Sequence, residues 1–298
     1  MTAAQASRAK VIAAYAAIYI IWGSTYLAIK YGIETFPPFA LGAVRFLFAG
    51  IILFAWARWR SDVKLQRVHW LHAFFIGMLM LGVGNGAVVW SEQRIPSGIA
   101  ALIVAIIPLM VVVIEWVRPG GRRPRALVLV GVLVGLGGLA LLVGPSFGSG
   151  GAIDLTGVGV LLIGSLAWSI ATVFGKQAKV PGYPPITSAM QLLSGGVCLT
   201  VLSLSAGEGP KLIAMDVTTK GVLSVLYLAI FGSIVAFSAF SWLMRTANSA
   251  RISTYAYVNP VVAMLLGWLF ANEEMTVRTL IAAGVVLAGV VLITRGEH

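Results

Sequence analysis

The chain is one unit written twice. Trp22 and Trp168 lie 146 positions apart, and so do Lys30 and Lys176. Farther along, Trp90 pairs with Trp242, Pro108 with Pro260 and Trp116 with Trp268, each at a spacing of 152. Leu127 and Gly131 pair with Leu280 and Gly284 at 153. A slowly drifting offset is what two copies with slightly different joining segments produce. The copies divide the chain into residues 1–148 and 149–298.

Each copy is too apolar to fold in water. Of 298 residues, 59% are hydrophobic and 10% charged, where soluble domains carry about 25% charged residues. Apolar runs recur at about 20 residues, enough to cross a hydrocarbon core. Ten spans are expected at about 11–31, 38–57, 70–90, 95–117, 125–144, 155–178, 184–206, 219–244, 249–270 and 276–294. Short segments carrying Pro and Gly join them, from Pro37-Pro38 to the run from Gly207 to Pro210. The first run has no small-residue cleavage site and reads as a retained span. The expected fold is an all-α membrane protein of ten transmembrane helices.

Ten spans return both termini to one side. Apart from Arg45, the 21 Lys and Arg fall outside the span interiors. With the termini inside, 15 of them lie inside and five (Lys30, Arg94, Lys211, Lys220 and Arg278) outside. That bias sets both termini in the cytoplasm. It also accounts for the net charge of +11 without a nucleic-acid partner, which would require a basic face with stacking aromatics. Five spans per copy is an odd number, so the second copy enters the membrane from the opposite face. Inverted repeats of this kind recur in secondary transporters, with the substrate held between the halves near mid-membrane.

Candidate site residues follow from polar and aromatic side chains inside the spans. Tyr15, Tyr19, Trp22 and Tyr26 form one stripe at helical spacing, with Ser24 and Thr25 beside it. Ser165, Trp168 and Thr172 echo it. Such stripes line a cavity or pack helix on helix. The third span sets Met78, Gly82, Asn85 and Val89 on one face, with Gly86 and Trp90 beside it, and the eighth sets Tyr227, Phe231, Ser238 and Trp242. The Asn85 carboxamide needs a partner or a wet cavity. Pro108 and Pro260 deprive the carbonyls of Val104 and Ala256 of their helical donors, which kinks a helix and frees an acceptor. Tyr255 and Asn259, with Ser253, Thr254 and Tyr257 nearby, form the expected substrate wall.

Arg45, about 10 Å into its helix, either snorkels to the outer face or points inward. Glu34, Glu92, Glu115, Glu273 and Glu274 all fall near span ends. With no acid at mid-span, a facilitative or weakly coupled carrier is expected over a proton-driven one. Gly131, Gly135 and Gly138, with Gly284 and Ala288, suit a close helix–helix seam. The fifth and tenth spans lack polar side chains and belong at the periphery.

No catalytic residue, metal site or cofactor is expected. His69 and His72 are spaced i,i+3 but lack an acidic partner and read as interfacial. The lone Cys198 excludes an intramolecular disulfide and any multi-Cys metal site. Gly82-x-Gly84-x-Gly86 lies inside a span with no preceding strand, so it is no phosphate loop.

The chain resembles the drug/metabolite transporter superfamily, specifically its EamA-type exporters. The likeness rests on Trp22-Gly23-Ser24-Thr25-Tyr26, on Pro37-Pro38 with Arg45-Phe46, on Pro108 with Glu115-Trp116, and on Asn259-Pro260 followed by Glu273-Glu274. Within that family it looks most like the YddG-type exporters, which move aromatic amino acids and related metabolites out of bacteria. The resemblance implies a basket-shaped bundle, a central cavity lined by spans 1–4 and 6–9, and residence in the bacterial inner membrane. It also implies a small-molecule substrate, with the lipid bilayer as the other partner. The sequence does not set the oligomeric state, and a monomer suffices. Aromatic walls suit flat hydrophobic cargo. With no cavity carboxylate, an amino group would meet backbone carbonyls, Asn85, Asn259 or an aromatic face. Two alternatives are weaker. An antiporter of phosphorylated or nucleotide-linked sugars would need several intramembrane cations, and an integral-membrane enzyme would need clustered acids, ligands or an activated nucleophile.

Overall fold

The computed structural model describes residues 8–121, 123–143, 153–246 and 255–296. Ser253 and Thr254 lie outside these residues, as do Arg122 and Arg251. No strand occurs among the described residues. Its main helices are α1 (Arg8–Ile33), α2 (Pro38–Arg60), α3 (Arg67–Ser91), α4 (Ser97–Val117), α5 (Ala126–Val143), α6 (Leu155–Gly175), α7 (Pro184–Ser205), α8 (Thr219–Met244), α9 (Tyr255–Ala271) and α10 (Val277–Gly296). Seven of them are long and apolar enough to cross a membrane; α5, α9 and α10 are apolar but shorter over the described stretch. A short helix, Gly209–Ala214, precedes α8 and was not expected from the sequence.

Local chemistry sets where the helices begin and end. Pro38 and Pro184 open α2 and α7, at positions where a missing N–H costs nothing. Asp154 caps α6 by accepting from the N–H groups of Thr156 (2.7 Å) and Gly157 (3.1 Å). The Thr218 hydroxyl caps α8 through the N–H of Gly221. Gly207, with φ +67°, ends α7 in the left-handed conformation that glycine adopts without strain.

Two caps cross between the halves. The buried Glu208 carboxylate accepts from the N–H groups of Phe39 and Ala40 at the start of α2. Glu273 accepts from Ser97 N–H (2.8 Å) and Gly98 N–H (3.1 Å) at the start of α4. Carboxylates at helix N-termini complement the helix dipole, so the second half holds two helices of the first by their ends.

Three helices are locally widened to an i→i+5 pattern. These π-helical stretches are Ala17–Ile21 in α1, Met78–Asn85 in α3 and Leu228–Val235 in α8. The second and third stand 150 positions apart, in keeping with the repeat. In α4 the helix breaks at Ala105 and Ile106 and restarts at Ile107, with Pro108 in its first turn.

Helix packing keeps its pattern when each helix is exchanged for the one five later. Helix α2 packs along α7, and α5 along α10, the two most extensive contacts in the molecule. Helix α1 touches α8 and α9, while α6 touches α3 and α4. End contacts give the direction of the chain. The ends of α1, α9 and α4 meet through Lys30, Glu273 and Ser97. At the opposite end α6 meets α4 through Lys176 and Glu115, 2.6 Å apart. Large apolar side chains, including Ile51, Leu71, Leu133, Ile163 and Val201, cover the outside of the bundle. Such a surface suits a hydrocarbon environment.

Between lipid-bathed helices the hydrophobic effect is weak, and close packing must supply the adhesion. The α5–α10 seam does this through glycine. A Cβ added at Gly131 would stand 2.7 Å from Gly289 O, and one added at Gly289 would stand 2.6 Å from Gly135 N. The expected partner Gly284 is not in the seam, since a Cβ there meets nothing within 4 Å. Gly284 lies on a neighbouring face of α10, and Gly289 takes its place. Gly289→Leu should therefore lower the thermal unfolding midpoint in detergent, by about 1–3 kcal/mol or more of overpacking. Gly284→Leu should leave it unchanged, and equal shifts would refute this seam.

Candidate functional site

The helices leave a space near the middle of the bundle that is unfilled by atoms. Side chains from α1–α4 and α6–α9 line it, and none comes from α5 or α10. Trp22, Phe46, Trp168, Phe237 and Tyr255 supply aromatic surface. Trp22 meets Trp168 edge to face at 6.1 Å and Tyr255 at 5.4 Å. The polar lining is sparse: Thr25, Arg45, Asn85, Ser165, Ser233 and Asn259. No acidic side chain lines the cavity among the described residues.

The widened helical turns shape this space. The Trp22 indole N–H donates to Gly232 O (3.2 Å) inside the π-stretch of α8. On the other side Trp168 lies against Gly84, in the π-stretch of α3. Gly84 and Gly164 also pass close together, with a Cβ on Gly164 only 3.1 Å from Gly84 O. The Ser233 hydroxyl donates to Leu228 O, five residues back, as the wide turn permits. In α1 the carbonyls of Ile18 and Tyr19 lie in the π-stretch. The Asn259 amide, oriented by these acceptors, donates to them at 3.2 and 3.1 Å. Asn259 thus ties α9 to α1 while lining the cavity.

Arg45 points inward. It is 4% exposed, its Nε donates to Ser233 Oγ at 2.8 Å, and its guanidinium lies 4.7 Å from the centre of the Phe46 ring.

Other expected residues lie elsewhere. Tyr227 sits outside the cavity lining and shares a 2.6 Å hydrogen bond with Ser24. Trp90 stacks under Arg94 at 4.0 Å, at the end of α3. Met78 and Ser238 are half-buried and outside the lining, and Trp242 packs against the core shared by α1, α2, α7 and α8. Pro108 is buried just past the α4 break, next in the chain after the lining residue Ile107. Pro260 is buried inside α9. His69 and His72 engage the backbone of Gln66 and Lys179 at the start of α3.

The residues missed from the sequence are Phe46, Gly232, Ser233 and Phe237. The α8 face was read at 100° per residue. Each widened turn adds a residue, so the cavity receives Gly232, Ser233 and Phe237 in place of Phe231 and Ser238. In α3 the lining is Leu81, Gly84, Asn85 and Val88, so Asn85 is kept and Met78, Gly82 and Val89 are not. Phe46 had a signal, as the neighbour of Arg45.

One end of the bundle carries a charged cluster. Lys30 Nζ donates to Glu273 Oε1 at 2.8 Å. Burial pushes the Glu273 carboxyl upward, but the bonds from Lys30 and from the Ser97 and Gly98 N–H groups outweigh it and hold it below its ordinary value. Glu92, the first residue past α3, is 7% exposed with neither oxygen partnered among the described residues. Its position at a span end matches the sequence, but its burial was not legible there.

A helical bundle with an apolar outside and an aromatic-walled space at its centre is a membrane protein built to hold a small molecule. The sequence profile of the EamA-like transporter family matches residues 9–144 and again 155–295, and the chain belongs to that family of the drug/metabolite transporter superfamily. It is 41% identical over 285 residues to the uncharacterized inner membrane transporter YedA of Escherichia coli K12, covering 95% of this chain and 90% of YedA. It is 27% identical to the uncharacterized transporter YoaV of Bacillus subtilis, over 96% and 97% of the two chains. A solved crystal structure shares the fold at a TM-score of 0.69 and 20% identity, covering 97% of this chain and 99% of that one.

The Glu273 network has a definite pH signature. A carboxylate whose folded pKa is depressed stabilises the fold fully above its ordinary value, 4.5, and loses that contribution as pH falls through the folded value. Glu273→Gln should lower the thermal midpoint at neutral pH by the equivalent of about 1–3 kcal/mol. The gap from the unmodified protein should narrow as pH falls below 4.5 in melts followed from neutral to acid pH. A gap that persists at the acid end would refute the assignment.

Proposed function

We propose that this protein exports small metabolites, aromatic amino acids and related hydrophobic compounds foremost, from the bacterial cytoplasm across the inner membrane. The observation that carries this reading is the central space lined by four helices of each half, with aromatic side chains from α1, α2, α6, α8 and α9. Trp and Tyr faces stack on flat cargo. The transporter family and the inner-membrane relatives support the same reading, as does the YddG-type resemblance.

Ten spans in two inverted five-helix repeats, residues 1–148 and 149–298, would form a basket around the cavity with both termini in the cytoplasm. Alternating access then follows from rocking one half against the other. The ion pair Lys30–Glu273 at one end and Lys176–Glu115 at the other are placed to close their respective ends. Transport is facilitative or weakly coupled in this reading, because no acid lines the cavity among the described residues.

Purified protein in liposomes should release preloaded L-phenylalanine or L-tryptophan down its gradient, with flux largely indifferent to an imposed proton gradient. Trp22→Ala and Trp168→Ala should each cut the flux about tenfold or more, at a cost of roughly 1.4 kcal/mol or above in cargo contact. Leu133→Ala, on the outside of α5, should not. Equal losses at all three positions would reject the cavity as the route.

A further inference from the structure

Among the described residues the cavity wall holds one positive charge, Arg45, and no acidic side chain lines the cavity beside it. Arg45 comes from the middle of α2, and its guanidinium is locked in place on two sides. Nε is bonded to Ser233, whose own proton goes to Leu228 O. Nη2 lies against Gly232, where an added Cβ would stand 2.9 Å from it. Nη1 is buried and has no hydrogen-bond partner among the described residues. None of the ion pairs among those residues includes Arg45. The field of Glu92 reaches it, but Glu92 lies past the end of α3, outside the cavity lining.

A guanidinium retained in a membrane interior marks a place where a negative group binds or passes. Its N–H groups form a planar fork that matches a carboxylate. We propose that Nη1 of Arg45 docks the carboxylate of the cargo, and that the cargo is a small organic acid with one carboxylate and a flat apolar body. The amino group of an amino acid is dispensable to this site. This rests on reading the cavity as the transport site.

Three features narrow the class. One cation does not balance a phosphate dianion or a nucleotide diphosphate. Among the described residues the lining has no carboxylate to hold an ammonium, so amines without an acid group lack a charged partner there. Trp22, Trp168 and Tyr255 offer ring faces and edges to the remainder of the molecule.

The test is equilibrium binding by calorimetry to the full chain in detergent, with thermal melts as a check on folding. The probes are 3-phenylpropanoate, its neutral isostere 3-phenylpropanamide, L-phenylalanine and phenethylamine. The two acids should bind within several-fold of each other, and the amide and amine about 10- to 100-fold more weakly, as loss of a charged hydrogen bond requires. Arg45→Met should erase the difference between acid and amide, and Arg45→Lys should restore part of it. Ser233→Ala should weaken the acids and leave the amide unchanged.

If Arg45→Met does not fold, the acid-to-amide ratio of the unmodified protein and the Ser233→Ala result decide. Amide binding as tight as acid, undiminished acid binding by Arg45→Met, or L-phenylalanine binding without 3-phenylpropanoate would each overturn the proposal. In those cases, L-phenylalanine efflux from liposomes would leave the transport reading standing. Absence of both binding and flux for every probe would remove both.

Discussion

Lipid donates and accepts no hydrogen bonds, so every backbone N–H and C=O inside a span must be paired by the protein itself. That constraint makes the chain helical, and it also gives meaning to each departure from the regular helix. The described spans depart at the π-stretches of α1, α3 and α8, at the break of α4 and at Pro260 in α9. All border the central space, and several of the groups they free are paired there. Asn259 donates to carbonyls of the α1 stretch, Trp22 donates to Gly232 O in the α8 stretch, and the Ser233 hydroxyl reaches Leu228 O. On α5 and α10, away from the cavity, the helices run without such departures and are held by glycine contact. The rigid and the adaptable helices are thus separated in space.

The same separation bears on motion. The α2–α7 and α5–α10 contacts join corresponding helices of the two copies along their lengths. By contrast, the bundle's ends are held by a few charged contacts, with Glu273 bridging α9 to α1 and α4, and Glu115 reaching Lys176. A half-exposed ion pair is worth little in stability, so opening the Lys176–Glu115 end costs little. The Glu273 end is better fastened, because its carboxylate is buried and also caps α4. On the proposed orientation the better-fastened end faces outward.

Much of this was legible in the sequence because the repeat and the membrane both impose simple periods. Spacings of 146 to 153 exposed the two copies, and apolar runs bounded by Pro and Gly located the helices. Trp22, Tyr26, Asn85, Trp168, Tyr255 and Asn259 were singled out as polar or aromatic groups within apolar runs, and the structure gathers them around one space. The face of α8 differs from the expected one because a residue periodicity assumes one turn geometry throughout. An eight-residue π-stretch violates that assumption, and its sequences, MLMLGVGN and LAIFGSIV, carry no mark that distinguishes them from an ordinary helix. Glu208 and Glu273 were likewise illegible as caps. Each closes a helix more than 160 residues away in the chain, and local patterns do not report such contacts.

The two copies have parallel architectures but unequal chemistry. The spacing of 146 that relates Pro38 to Pro184 leads from Arg45 to Gln191, beside Leu192, which lines the cavity from α7 as Arg45 does from α2. The pseudo-symmetric scaffold therefore carries a charge on one wall and none at the matching place on the other. A cargo with one charged end has a single favourable orientation between such walls. Because α2 and α7 are packed along their lengths, the proposed opening of the two ends in turn would keep that orientation. On that proposal the repeat would serve the motion, and the unmatched charge at Arg45 would select what moves.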